Sequence, residues 1–325
     1  AIAWTDYIQG ILILVGLIIM LPLAVNEAGG YNAVVSNVPS NFWDFIPKES
    51  NSMTWLSYIS AWAGMALGNI PAPDIAQRSF IAKDENTAKN SAVGAGIMYW
   101  SFGFIPIFLG FTAITLSKQG IISAELIAND SEMIIPLISK AVFHPLPAAI
   151  FLGSLLSAVM SSADSSLFAS SVILSNMTEN LVTKFNIKDS FSEKKKLILT
   201  KSIVVFLGLF SIVIGVYADS LYQLMIFSFS LLFGMLFAPM VFAIYWEKAN
   251  EYGAIVSCLS GALFIITGSI LQGSLIPGPE WFYTLIPPII STITMIVVSL
   301  LTQNHCPPKP LKNKKGDNLK WGYLN

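Results

Sequence analysis

The stretch SAVMSSADSSLFAS, residues 157–170, decides the interpretation of the chain, because it puts six serines and a carboxylate inside an otherwise apolar segment. That segment is long enough to cross a bilayer, since about 20 apolar residues span the hydrocarbon core. At about 100° per residue, Ser154, Ser157, Ser161 and Ser165 lie within about 80° of one another on a helix. One side of a membrane helix is therefore lined with hydroxyl groups, and we call it the serine face.

Two explanations of the serine face remain open on the residues alone. Serines in membrane helices bond back to the carbonyl one turn earlier and let neighbouring helices approach closely. Alternatively, neutral hydroxyls and carbonyls suit sodium, a hard ion that prefers oxygen ligands and must be released again. Asp164 favours the second explanation, because an intramembrane carboxylate is costly and indicates an ion path or a buried partner. A salt bridge at the helix end would also account for it.

The composition places the whole chain in the membrane and excludes several functions. Of 325 residues, 54% are hydrophobic and only 11% are charged, against about 25% charged in soluble domains. The net charge of −1 offers no basic footprint for nucleic acid. Two cysteines and two histidines give no metal-ligand spacing, and no Ser/His/Asp order or paired catalytic carboxylates appear in the spans. We predict a membrane protein that is not an enzyme and carries no cofactor.

Eight apolar segments are long enough to be membrane spans. They are A (4–26), B (53–73), C (92–117), D (146–178), E (197–218), F (220–246), G (252–272) and H (282–302). The connections after B, D and F and the tail after H hold 15 of the 18 basic residues. Under the positive-inside rule these connections are cytoplasmic, as are the chain start and a basic tail at 303–325.

Span B contains a break. In GNIPAPDIAQR, residues 68–78, Pro71 and Pro73 remove two backbone donors, and Gly68 and Asn69 loosen the turn before them. The helix is predicted to break around residues 68–73. Unwound backbone at membrane depth lines a cavity or is buried in protein, and such breaks form solute sites in transporters. The alternative is that the break marks the cytoplasmic end of the span.

Three stretches together resemble the sodium/solute symporter family. AWTDYIQG (3–10) is similar to its helix with Trp-Thr-Asp and a glutamine, LGNIPAPDIAQRSF (67–80) to its broken helix, and SAVMSSADSSL (157–167) to its sodium-site helix. The motifs are closest to the choline and proline branches. A choline carrier is disfavoured, because that branch has a tryptophan where this chain has Ala72, and a quaternary ammonium is usually held in an aromatic cage.

The resemblance implies an all-α polytopic membrane protein with a LeuT-like inverted-repeat fold. A would be the last helix of the first repeat, B to F the complete second repeat, and G and H two extra helices. Residues 1–325 would form a single transporter domain in a fragment that lacks the N-terminal helices. The alternative is a membrane sensor module of the same fold, attached to a signalling domain.

The resemblance also implies the functional residues and partners. Sodium, the coupling ion and only metal, would be bound by the Ala158 carbonyl and by the Ser161 and Ser162 hydroxyls. A cation pathway would use Asp6, as the family's exit-path carboxylate, together with Asp164. A small polar solute would be bound by residues of the broken helix and of span F, namely Met65, Gly68, Asn69, Ala72, Tyr222, Gln223 and Met225.

Overall fold

The apolar runs form helices throughout the described chain, because backbone amides and carbonyls in a bilayer must bond within the protein. The computed structural model describes residues 2–48, 51–73, 75–76, 79, 82–184, 192–218, 220–273 and 281–310, without the side chains of 2–6 and 184. No strand occurs among these residues.

The described α-helices are numbered here in chain order. They are α1 (Ile2–Glu27), α2 (Tyr31–Asn37), α3 (Ser52–Gly68), α4 (Glu85–Phe102), α5 (Phe104–Lys118), α6 (Ala124–Asn129), α7 (Ile134–Val142), α8 (Pro145–Lys184), α9 (Glu193–Tyr217), α10 (Leu221–Leu232), α11 (Ala238–Tyr245), α12 (Glu251–Gln272) and α13 (Trp281–Leu301). A π-helical segment, Phe233–Phe237, joins α10 to α11.

Seven helical segments in the described part of the chain are long and apolar enough to cross a membrane. They correspond to predicted spans A and C to H. Span B differs, since it forms α3, a helix of only 17 residues that ends at Gly68. The two prolines explain the shortfall, because neither can donate the backbone bond that a continuing helix needs.

The chain divides into two compact units, and the long helix α8 contributes to both. Unit 1 comprises residues 1–46 and 79–173. Its core contains Met20, Leu109 and Ile138, from α1, α5 and α7 respectively, and each is fully buried. Helix α7 is too short to cross a membrane, and it packs on this core.

Unit 2 comprises residues 47–78 and 174–325 and contains the extensively packed helix pair α12 and α13. Ser257 donates to the Ser291 carbonyl at 2.8 Å, and the two hydroxyls lie 2.7 Å apart. Ser260 and Thr294 hydroxyls lie 2.8 Å apart. Small residues let the two backbones approach, and the hydroxyls bond across the interface.

Thr302 and the start of the predicted tail, residues 303–310, contact the N-terminal end of α12. Asn250 donates to Thr302 Oγ1 at 2.8 Å and to the Cys306 carbonyl at 3.0 Å. Lys309 Nζ donates to Glu251 Oε2 at 2.9 Å, and this hydrogen bond raises the pKa of Lys309. The tail is therefore attached to unit 2 as far as residue 310, and the predicted residues 311–325 lie outside the described part.

The close approach of α12 to the π-helical segment gives a stability prediction. A Cβ at Gly261 would lie 2.2 Å from the Gly234 carbonyl oxygen, which is backbone and cannot rotate away. We expect Gly261→Ala to destabilise the protein by about 1–3 kcal/mol, the usual cost of overpacking. The measurement is the thermal unfolding midpoint of the purified protein in detergent.

The matched control is Gly94→Ala in α4, where an added Cβ meets no atom within 4 Å. It should leave the midpoint unchanged or raise it slightly, because alanine favours a helix over glycine. Equal midpoints for the two variants would contradict the close approach at Gly261.

Candidate functional site

The serine face of α8 lies in the portion of the helix that belongs to unit 1. Ser154 is buried, and Ser157, Ser161 and Ser165 are half-buried. Among the exposed positions around these serines, Leu156, Val159 and Met160 are each about 60% exposed. Ser162, Asp164 and Ser166 are exposed as well. The serine face is therefore the more buried side of the helix, as both explanations of the serines require.

The hydroxyls of the serine face have different partners. Ser154 Oγ donates to the Ile150 carbonyl at 2.8 Å, so this serine does bond back one turn. Ser157 Oγ instead accepts a hydrogen bond from Gln9 Nε2 of α1 at 2.6 Å. The serine face is thus partly a helix-packing feature and partly a polar surface that reaches another helix.

The residues predicted to bind sodium lie on consecutive turns of this face and its flank. Ala158 and Ser161 are half-buried, and Ser162 is exposed. Neutral oxygens of this kind suit a single positive charge better than a divalent ion. No group of three or more His, Cys, Asp or Glu side chains that could hold a metal occurs among the described residues.

Of the two carboxylates predicted to line the cation pathway, only Asp164 has a described side chain. Asp6 lies in α1, but its side chain is outside the described part of the structure. Asp164 is exposed on α8 and makes no ion pair with a described residue. The salt bridge at the helix end, the alternative explanation for Asp164, is therefore not formed within the described chain.

The break in span B is present where the sequence predicts it. The Ile70 amide bonds the Leu67 carbonyl at 3.3 Å and the Ala72 amide bonds the Asn69 carbonyl at 3.2 Å, so both bonds span three residues. Helical bonding then resumes, with the Ala76 amide 3.1 Å from the Ala72 carbonyl. This favours a discontinuous helix over a simple end of the span. The Ala66 and Gly68 carbonyls lose the amides that a continuous helix would give them.

The predicted solute residues of the broken helix differ in exposure. Met65 and Asn69 are exposed, whereas Gly68 and Ala72 are buried. A Cβ at Gly68 would lie 2.2 Å from the Phe229 carbonyl oxygen, so the last turn of α3 rests directly on the backbone of α10. Gly68 consequently acts in the structure as a packing position.

The predicted residues of span F begin α10. Tyr222, Gln223 and Met225 are all exposed, and Ser220 caps the helix by accepting from the Gln223 amide at 3.5 Å. Tyr222 precedes Phe229 by seven residues, or about 10 Å of helix. The end of α3 therefore contacts α10 at Phe229. Tyr222, Gln223 and Met225 lie one to two helical turns before this contact.

An aromatic row on α3 leads up to the break. Trp55 and Tyr58 pack edge to face with centroids 6.1 Å apart, and Tyr58 and Trp62 do so at 6.3 Å. A shallow cavity of about 380 Å³ lies on this side of α3. Its lining is almost wholly apolar and consists of Tyr58, Ile59, Trp62, Ala63 and Ala66. This side of α3 therefore presents aromatic rings and methyl groups.

Two features at the site were not predicted as functional. Gln9 was noted only as part of a family motif, because nothing in the sequence shows which helix faces it. The π-helical segment Phe233–Phe237 was not among the predictions. Segments of this kind occur often at functional sites. Here the segment follows the contact of Gly68 with α10 directly.

The fold and the site define a polytopic α-helical membrane protein with a discontinuous helix and a hydroxyl-lined span. The family model "Sodium:solute symporter family" matches residues 1–261. The chain belongs to this family, whose members are secondary transporters rather than enzymes.

Several curated relatives agree with this assignment. The chain is 26% identical to the osmoregulated proline transporter OpuE of Bacillus subtilis and 27% identical to a sodium/proline symporter of Staphylococcus aureus, over 93% of its length in both cases. It is 28% identical to a sodium/pantothenate symporter of Haemophilus influenzae over 80% of its length. These alignments cover 59%, 58% and 52% of the relatives, so the chain spans little more than half of each.

A solved structure confirms the fold. The substrate-bound, outward-open structure of a Na⁺-coupled sialic acid symporter superposes with a TM-score of 0.68 at 17% identity. The match covers 92% of this chain and 62% of that one. The LeuT-like transporter fold expected from the motifs is therefore the fold of this chain.

Proposed function

We propose that the protein is a symporter that couples inward sodium flow to the import of a small polar organic solute by alternating access. The observation that carries the proposal is the serine face of α8, the more buried side of that helix, with Ser161 half-buried and an inter-helix hydrogen bond at Ser157. Family membership and the sodium-coupled relatives support it. The solute class stays broad, since the relatives are named for different solutes.

In this mechanism the Ala158 carbonyl and the Ser161 and Ser162 hydroxyls replace part of the hydration shell of sodium. Neutral oxygens hold one charge weakly enough to release it on the inner side. Asp6 and Asp164 would line the cation pathway. Each sodium ion that crosses 100 mV releases about 2.3 kcal/mol, and this free energy drives the solute against its gradient.

The break after α3 would bind the solute, because backbone carbonyls that lack helical donors lie beside Met65 and Asn69. Tyr222, Gln223 and Met225 would line the approach from α10. Binding of sodium and solute is coupled if both favour the closed state, so each ligand should tighten the other. Hinge positions such as the break and the π-helical segment would absorb the movement.

The positive-inside distribution of lysines supports a multi-pass protein of the plasma membrane, or of the inner membrane in a bacterium. The chain start and the tail at 303–325 would lie in the cytoplasm, within a single transporter domain.

The direct test is uptake by the full-length protein in proteoliposomes. Labelled proline and pantothenate are offered first, followed by sugars, other carboxylates and amines, with sodium, lithium or potassium outside. We expect accumulation of one solute class to require an inward sodium gradient and to collapse when a sodium ionophore dissipates it. Uptake that continues unchanged in sodium-free buffer contradicts the proposal.

A further inference from the structure

Gln9 is the residue through which α1 reaches the serine face. Its amide nitrogen donates to Ser157 Oγ at 2.6 Å, a short bond between residues 148 positions apart in the chain. Two turns further along, the Phe151 ring packs against Gly16, where a Cβ would lie only 2.2 Å from the ring. The Gln9 side chain is therefore held between two helices that pack together within unit 1.

The other end of the same amide is unsatisfied. Gln9 Oε1 is buried and has no hydrogen-bond partner among the described residues. A buried carbonyl oxygen without a partner costs free energy, and its natural partners are a donor or a cation. The helix–helix hydrogen bond to Ser157 uses only the amide nitrogen of Gln9 and leaves the amide oxygen without a role. A bound ligand would give the oxygen a partner.

Gln9 Oε1 belongs to the same amide as the nitrogen that lies 2.6 Å from Ser157 Oγ. A buried acceptor oxygen and an adjacent hydroxyl thus occur together, outside the residues assigned to the sodium site.

We propose that Gln9 Oε1, together with Ser157 Oγ, forms an additional binding station for the monovalent cation. The station lies one helical turn from Ser161, or about 6 Å along α8. With the orientation proposed above, it lies on the outer side of Ser161 and Ser162 and receives the ion before they do. An amide oxygen suits this task, because it is a hard ligand without a charge that would trap the ion. This inference rests on the proposed sodium-coupled function.

The test replaces Gln9 with methionine, which keeps the length of the side chain and removes both polar atoms. In proteoliposomes with the full-length protein, Gln9→Met should raise the sodium concentration for half-maximal uptake about tenfold, the effect of losing one good ion ligand. Maximal uptake at saturating sodium should be retained. A second measurement needs no transport: sodium alone should raise the thermal midpoint of the wild type at concentrations about tenfold lower than it does for the variant.

Two further variants separate a ligand from a packing residue. Thr115→Val removes another buried hydroxyl that lacks a partner in unit 1, and it should leave sodium affinity unchanged. Gln9→Glu keeps an oxygen at the station and should bind sodium at least as tightly as the wild type. It also decides the question if Gln9→Met fails to fold.

The outcomes are distinguishable. If Gln9→Met lowers the sodium-free midpoint but leaves sodium affinity unchanged, or if Gln9→Glu weakens sodium binding as much as methionine would, Gln9 is a packing residue whose oxygen binds water and the inference is overturned. The proposed function survives that result as long as uptake depends on sodium. Uptake that does not require sodium contradicts both the proposed function and the role of Gln9 in binding the cation.

Discussion

Gly68→Ala is expected to reduce solute uptake about a hundredfold, the largest effect that we expect from a single methyl group in this chain. The added Cβ would lie 2.2 Å from the Phe229 carbonyl oxygen, 2.9 Å from its carbon and 3.2 Å from Cα. All three are backbone atoms of α10, so no side chain can rotate to make room. The end of α3 must move away from α10 by about 1 Å, and displacements of that size in an assembled site cost about 100-fold.

The matched variant is Gly64→Ala, one turn earlier on the same helix. Its Cβ would lie 3.0 Å from Thr284 Cγ2 and 3.5 Å from Ser230 Oγ, both of which are side-chain atoms. These two hydroxyl residues are bonded to each other at 3.1 Å and can shift together. Gly64→Ala should therefore lose only a fewfold in uptake, and Thr284→Ser, which removes Cγ2, should restore it.

Uptake of the labelled solute at saturating sodium measures both variants, after protein levels in the membrane have been matched. Gly96→Ala in α4, where a Cβ meets nothing within 4 Å, is the neutral control. If Gly68→Ala transports as well as Gly64→Ala, the backbone contact between α3 and α10 does not position the solute site.

Much of the fold follows from the sequence, because length and hydropathy are local properties. Seven of the eight predicted spans correspond to helical segments long enough to cross. Span B differs in length because the continuous apolar run from 53 to 73 includes Pro71 and Pro73, and hydropathy does not register a missing amide hydrogen. The prediction of a break at the same prolines was made from backbone chemistry, and the altered bonds of Ile70 and Ala72 confirm it.

The relations between helices could not be read from the sequence. The serine periodicity shows that Ser157 and Ser161 share a face, but not that this face is the more buried side of the helix or that Ser157 meets Gln9. The sequence also does not show that Gly68 packs on the backbone of Phe229, because a glycine that loosens a helix and a glycine that admits a close neighbour cannot be distinguished without the partner. Ala72, predicted to lie at the solute site, is 4% exposed for a similar reason, as burial depends on partners distant in the chain.

Replacement of both Ser161 and Ser162 by alanine is expected to abolish sodium-dependent uptake at physiological sodium. Each hydroxyl that binds an ion contributes about 1.5–3 kcal/mol, by analogy with hydrogen bonds to charged groups, so each single variant should raise the sodium requirement about tenfold or more. The double variant should need a sodium concentration above the physiological range. Serine to alanine also favours the helix, so a loss of function is not a loss of folding.

The control for the serine pair lies on the same helix. Ser166 is exposed and outside the serine face, about 140° around the helix from Ser161. Ser166→Ala should leave the sodium concentration for half-maximal uptake unchanged, and Ser161→Thr, which keeps a hydroxyl, should recover most of the affinity lost in Ser161→Ala. If Ser166→Ala and Ser161→Ala show the same sodium dependence, the ion does not bind along this face, because only one of the two serines belongs to the serine face.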